Sequence, residues 1–306
     1  MQAQLGSLLR NGFTVGLELP LDNDWSTKGQ ARRVADGRLP GEPDMAAHAR
    51  LAQLADSCGF AALWVRDVPL YDPQFGDAAQ TFEIFTYLGY LAASTRNILL
   101  GTSAVVLPLR EPVLTMKSAS TLDRLSSGRL ILGVSSGDRP VEYPIFRKDF
   151  RQRGAAFRQQ IDMLRDWRSQ EWPEAIQLLP KPRAPLPLLA AGLAQQTLEW
   201  IGQNLDGWLA YPGTPQEHLM RSAAWRSVAG PDKPYISFIH LDYLPDPSAP
   251  SQRFRFGLAT GRQGLIRELQ AMRQAGVGHI ALHMRRTSMD LEQAIADIGS
   301  QVLPCL

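Results

Sequence analysis

Carboxylates and imidazoles in this chain fall at the ends of short apolar runs, the places from which a side chain can reach a ligand. Glu18 closes the run that starts at Phe13, and Asp67 follows the run Ala61 to Arg66. A carboxylate so placed can orient a substrate, bond to a polar ring edge or carry a proton. Each also suits a structural role: Asp67 could cap a helix or hold Arg66 or Arg110, and Glu18 is open in the same way. His240 and His283 end two later runs. Imidazole titrates near neutral pH, so each is a candidate acid or base, or only a donor to a carbonyl. Gly133, Val134, Ser135, Ser136 and Gly137 spell G-x-S-x-G, the nucleophile elbow of serine hydrolases, and Asp242 and His283 follow in the required chain order. An elbow needs a helix directly after it. Pro140 and Pro144 interrupt that stretch, which argues against acyl chemistry.

The elements that must position these residues are read from periodicity. Ile98 to Leu107 is apolar on both pleat faces, as a strand buried on two sides requires. Beyond Pro112, the series Leu114, Ser118, Thr121, Leu122 and Leu125 recurs at helical spacing and predicts a buried helix face, which Gly128 ends. Arg129 to Ser135 is again apolar and of strand length, so strand, helix and strand form a parallel crossover. The same alternation predicts further strands at Phe13 to Leu19, Ala61 to Arg66, Leu186 to Ala191, Gly207 to Tyr211, Tyr235 to Leu241 and His279 to Met284. Each strand is followed by a helical pattern. Leu51, Leu54, Ala55 and Cys58 mark one buried helix face, and Leu265, Leu269, Met272 and Gly276 mark another. Thr214, Pro215 and Glu217 form a capping box, and the last helix begins near Asp290. Strands that each lead into a helix, eight times over, predict an α/β fold: a single (β/α)8 TIM barrel over residues 1–306. Long loops are expected after strands 1, 4 and 7, at Asp22 to Pro43, Gly137 to Phe150 and Asp242 to Gly261. Loops after strands share the C-terminal face of such a barrel, so these become walls and lids of one pocket.

Composition bounds the rest. A formal charge of +2 without clustering gives no footprint for a nucleic-acid partner. No apolar stretch is long enough to span a bilayer, and Cys58 and Cys305 are too few for a disulfide framework or a zinc site. The expectation is a protein of a reducing cytoplasm, with no membrane partner.

GTSAVVLPLREPV followed by LDRLSSGRLILGVSSGD resembles the luciferase-like flavin-dependent monooxygenases, the superfamily of bacterial luciferase and its deazaflavin-dependent relatives. CGFAALWVRD at the second strand and LLAAGLAQQTLEW at the fifth extend the likeness. The resemblance implies a flavin at the C-terminal face, over a bulge with a non-prolyl cis peptide at Ser103 and Ala104. It implies that the flavin phosphate sits between Ser135, Ser136, Gly137 and Asp138 and the second loop, Gly192, Leu193, Ala194, Gln195 and Gln196. Glycine and short side chains there would let backbone N–H groups reach the phosphate, aided by a helix opening near Gln195. Tyr143 and Phe146 would cover the flavin or make dimer contacts. Departures limit the transfer. Val68 stands where luciferase has a histidine, Ser135 replaces a reactive cysteine, and Ser136 replaces a phosphate-binding arginine, so phosphate would rest on neutral donors. The implied activity is oxygenation of a small organic substrate with reduced FMN and oxygen. F420-dependent hydride transfer and a noncatalytic flavin-binding protein remain alternatives. No G-x-G-x-x-G follows a strand, so a separate NAD(P)H:flavin reductase is the expected partner. A homodimer through helices two and three is implied by resemblance alone.

Overall fold

The computed structural model describes residues 2–75, 82–165, 173 and 176–306. Eight parallel strands close on themselves: β1 (Thr14–Glu18), β2 (Ala62–Val65), β3 (Leu99–Thr102), β4 (Leu130–Ser135), β5 (Leu188–Ala191), β6 (Gly207–Leu209), β7 (Tyr235–Tyr243) and β8 (His279–His283). Neighbours in sequence are neighbours in the sheet, and β8 pairs with both β7 and β1 to close the ring. After each strand comes one helix of the outer layer: α1 (His48–Ser57), α2 (Ile84–Ser94), α3 (Pro112–Leu125), α4 (Arg153–Arg165), α5 (Leu198–Asn204), α6 (Pro215–Ala229), α7 (Arg262–Gln274) and α8 (Leu291–Asp297). The strands read as continuous apolar runs because one face meets the helices and the other the barrel interior.

That interior is packed. Trp64 fills it, with Leu99, Ile131, Leu189, Leu209, Ile236 and Phe238 around it, and Leu5 and Leu8 of the helix Ala3–Leu8 join the same inner cluster. Trp64 donates its indole N–H to His279 Nε2 at 2.9 Å. The bulk of Trp64 is matched by glycine opposite: a Cβ on Gly101 would stand 2.3 Å from the Trp64 ring.

The pairing of β3 with β4 changes step partway along. Leu100 lies opposite Leu130 and Gly101 opposite Ile131, but Val105 lies opposite Val134 and Val106 opposite Ser135. The chain from β3 onward therefore holds one residue more than β4 over this interval, which is a bulge. The peptide between Ser103 and Ala104 inside it is cis.

Two expectations need correction. The series Leu114, Ser118, Thr121, Leu122 and Leu125 is only in part the buried face of α3: Leu122 is buried, but Leu114 and Leu125 are 66% and 68% exposed. Thr115, Met116, Ala119, Ser120, Leu122 and Asp123 face inward instead. This helix carries two faces rich in apolar or small residues, and periodicity cannot rank them. The segment after β7 is not an irregular loop either. β7 continues to Tyr243, and a hairpin of Gln252–Phe254 and Gly257–Thr260 pairs back onto it. The other two excursions carry short helices, Thr27–Ala35 and Glu142–Ile145.

Candidate active site at the C-terminal mouth of the barrel

Side chains alternate along a strand, so the residues two positions beyond the inner core face into the mouth. Glu18 lies in register with His283, and His283 with His240, which brings three chemically active side chains together on adjacent strands. Ser103, Ser135, Ala191 and Tyr211 occupy the corresponding places on the opposite arc.

Glu18 is buried and its Oε1 accepts from Arg66 Nε, while Oε2 has no partner among the described residues. Asp67 is fully engaged: Arg110 binds Oδ1 at 2.8 Å and Oδ2 at 3.0 Å, and the Val106 N–H donates to Oδ2 at 3.1 Å. The clamp ties the exit of β2 to the residues just beyond the Ser103–Ala104 bulge, so Asp67 positions that step. His240 and His283 stack with centroids 4.5 Å apart at 30°. Burial, with the nearby Arg66 and Arg286 charges, pushes His240 down to about 3 and His283 well below its ordinary value. Both rings are therefore neutral at physiological pH, able to donate and accept hydrogen bonds but not to serve as standing imidazolium acids. Neither ring nitrogen of His283 has a partner among the described residues.

Sequence reasoning missed the residue that roofs this pair. Trp25, on the excursion after β1, packs on His283 at 4.7 Å and faces His240 at 5.9 Å. Its position is fixed from below. Arg285, 1% exposed at its side chain, binds Asp22 at 2.6 Å and Asp24 at 3.5 Å, and its carbonyl accepts from the Trp25 N–H at 2.9 Å. The acidic Asp22 and Asp24, followed by an aromatic residue, were the available signal. Their partner lies more than 250 residues away in sequence, as the Asp22–Arg285 bond shows.

On the other arc, the Ser135 hydroxyl donates to the Val105 carbonyl at 3.5 Å, and the next helix begins only at Glu142, so the nucleophile elbow is absent. Ser136 is buried, with its carbonyl accepting from the Tyr143 hydroxyl. Tyr143 is fully buried and packs edge-on to Phe150 at 5.1 Å, which pins the loop after β4. Asp138 is exposed. A Cβ on Gly137 would stand 2.9 Å from the Tyr143 hydroxyl oxygen, so the loop runs tightly over that ring. Glu142 is buried beside it and pushed up to about 7 by desolvation.

The loop after β5 has an unusual backbone. Gly192, Ala194 and Gln195 all have positive φ, at 56°, 46° and 61°. Two non-glycine residues in the left-handed region mark a conformation the surroundings enforce. The turn carries Leu193, Ala194 and Gln195 with N–H groups that find no acceptor among the described residues. Helix α5 opens at Leu198, capped by Thr197, so these amides belong to a turn and not to the helix start expected near Gln195. The turn rests on α4: Gln196 Nε2 donates to the Gly154 carbonyl at 3.0 Å, and Arg158 Nε donates to Gln196 Oε1. Arg153, at the start of the same helix, donates from Nη1 to the Phe150 carbonyl at 2.8 Å, and its buried Nε has no partner among the described residues. Amides without acceptors, with the Arg158 guanidinium on the adjacent Gln196 side chain, are an arrangement that could take an anion. A cavity of about 270 Å³ lies elsewhere, on the flank lined by Met116, Leu164 and Leu186, away from the mouth.

A family model described as luciferase-like monooxygenase matches residues 26–240. The chain belongs to that family. An uncharacterized protein of Mycobacterium tuberculosis is 30% identical over 235 residues, covering 66% of this chain and 81% of the relative. The alkanal monooxygenase alpha chain of Photorhabdus luminescens is 23% identical over 166 residues, covering 51% of this chain and 44% of that one. Among solved structures, monooxygenase RslO1 from Streptomyces bottropensis superposes with a TM-score of 0.72 at 18% identity, covering 95% of this chain and 99% of its own. An F420-dependent secondary alcohol dehydrogenase bound to an F420–acetone adduct gives 0.66 at 17% identity, covering 96% and 98%. The FMN-bound oxygenating constituent of 3,6-diketocamphane monooxygenase from Pseudomonas putida gives 0.67 at 13% identity, covering 95% and 98%. This luciferase-like monooxygenase is thus an oxidoreductase built on a TIM barrel. Among its described residues no helix is long and apolar enough to cross a membrane, and no cluster could hold a metal ion.

Proposed function

We propose that this enzyme oxygenates a small organic substrate with reduced FMN and molecular oxygen at the C-terminal mouth of the barrel, residues 1–306 acting as one domain. The observation that carries the reading is the turn of Leu193, Ala194 and Gln195, whose amides find no acceptor among the described residues, with Arg158 bonded to the adjacent Gln196 side chain. These groups would hold the phosphate, with Ser135, Ser136, Gly137, Asp138, Gly192 and Gln196 shaping the two loops around it. Ser103 and Ala104, small and stepped inward, would leave room for the ring. Bound flavin supplies the redox chemistry and the activation of oxygen. The chain's own residues do the rest. Glu18 and the neutral pair His240 and His283 orient the substrate, Asp67 fixes the bulge through Arg110 and Val106, and Trp25 helps exclude water.

FMN is preferred over F420 because the family is described as monooxygenase and the oxygenating neighbour holds FMN. The test is titration with FMN, riboflavin and F420. FMN binding well above riboflavin is expected, and Arg158→Ala should weaken FMN about ten-fold while leaving riboflavin unchanged. Equal affinity for FMN and riboflavin, or selective binding of F420, overturns the reading. A separate NAD(P)H:flavin reductase would supply reduced flavin, a division of labour supported by the neighbour described as an oxygenating constituent. Rapid oxidation of NADH by the purified protein alone would contradict it. Both cysteines are free, which supports a cytoplasmic setting. The uncovered apolar stripe of α3, with Tyr90 of α2 also exposed, supports a homodimer through these helices.

A further inference from the structure

The barrel has room at the end opposite its mouth. The cavity of about 270 Å³ is lined by Arg165, which ends α4, by Asn204, which ends α5, and by Leu188, which opens β5. Asp206 and Lys233, on its wall, stand just before β6 and β7. Active-site loops follow the strands of such a barrel, so a space at the strand starts is separate from the chemistry. Its floor is apolar: Met116, Leu132, Leu164, Leu188 and Leu205 are all buried. An apolar cavity of about 150 Å³ accepts one benzene ring, so this one has room for a ring with a short tail, about twelve non-hydrogen atoms.

The polar wall has a sign. Arg165 and Lys233 bring two positive charges against one negative charge from Asp206, whose Oδ2 is already occupied by the Leu188 N–H at 2.9 Å. Arg165 donates to Asn204 Oδ1 at 3.0 Å, and Lys233 Nζ donates to the Gly202 and Leu205 carbonyls at 2.6 and 2.7 Å. These partners are neutral, and among the described residues neither cation has a carboxylate within ion-pair distance. An ammonium has three N–H donors and a guanidinium five, so both keep donors to spare. Burial pushes Lys233 below its ordinary value, Asp206 opposes that, and the Arg165 charge adds to it. An anion between the two cations relieves their repulsion. Ser120, on the α3 wall and 4% exposed, has a hydroxyl with no hydrogen-bond partner among the described residues, which leaves a further donor for a ligand.

We propose that this cavity is a second small-molecule site, binding a monocarboxylate with a compact apolar body: the body lies on Met116, Leu164 and Leu188, and the carboxylate meets Arg165 and Lys233. It is separate from the mouth and does not depend on the flavin reading. The test titrates 4-phenylbutyrate, its neutral amide 4-phenylbutyramide, and acetate calorimetrically into the full chain. The acid should bind at least about ten-fold tighter than the amide, and acetate, which has the charge without the body, should give no detectable binding. Arg165→Gln should bring acid and amide within about three-fold, and Leu164→Trp, which fills the cavity, should abolish binding of both. FMN affinity and the circular dichroism spectrum should be unchanged in Arg165→Gln. Undetectable binding of the acid, equal affinities of acid and amide in the wild type, or a preference that survives Arg165→Gln overturns the proposal. So does binding that persists in a folded Leu164→Trp variant, since it would place the ligand elsewhere. If Leu164→Trp does not fold, the comparison in Arg165→Gln decides.

Discussion

At the scale of single residues, the histidines govern how the protein responds to acid. All five in the chain, His48, His218, His240, His279 and His283, have values lowered by burial. His48 and His218 fall to about 4, and His240 and His279 to about 3. An unfolded histidine titrates near 6.5, so below about that pH the unfolded chain takes up protons that the native state refuses. Each such histidine lowers stability by about 1.4 kcal/mol per pH unit in this window. Glu142, raised to about 7, has the opposite sign: it keeps its proton in the folded state and favours folding as pH falls from there towards its unfolded value. One carboxyl offsets one imidazole, so the histidines dominate. The urea midpoint should drop steeply from pH 7 to pH 5. A midpoint that holds constant would mean that these rings are protonated in the native protein. The neutrality of His240 and His283 could not be read from sequence, because it follows from what covers them.

At the scale of elements, glycine in the strands is a packing device. A Cβ on Gly133 of β4 would stand 2.0 Å from the Thr102 carbonyl oxygen and 2.7 Å from Leu209 Cδ1. The first of these neighbours is backbone and cannot swing aside. Gly133→Ala should therefore cost about 1–3 kcal/mol or more, measured by chemical denaturation, with weakened flavin binding because β4 leads into the phosphate loop. Unchanged stability would show that β4 has slack which this packing denies. The boundaries of such elements were legible wherever local chemistry set them. Thr214, Pro215 and Glu217 specify the start of α6, and the structure forms the full capping box there. Local chemistry said less about the turn after β5. Gly192 suggested a tight turn, but nothing in Ala194 and Gln195 announces left-handed backbone, which α4 packed beneath the turn accompanies.

At the scale of the whole molecule, α3 shows what periodicity cannot decide. Leu114, Ser118, Thr121 and Leu125 form a regular stripe, yet Leu114 and Leu125 are left in solvent by this chain. An apolar stripe of this kind fits a second copy. Sedimentation should give a dimer for the wild type and a monomer for Leu114→Glu, with the fold intact by circular dichroism. A monomeric wild type at micromolar concentration would dismiss the interface.

The sequence by itself determined the succession of strands and helices, and with it the barrel, because burial on two faces and on one face leaves different periods in the chain. It also determined which residues stand at strand ends, and so which could meet a ligand. Tertiary structure alone decided what those residues do. Asp67 is held by an arginine that several partners could have claimed, Trp25 is fixed over the histidines by Arg285 from the far end of the chain, and the amides after β5 find no acceptor among the described residues. Each depends on distances between segments remote in sequence. Local patterning carries no record of such distances, and only closure of the ring brings those segments together.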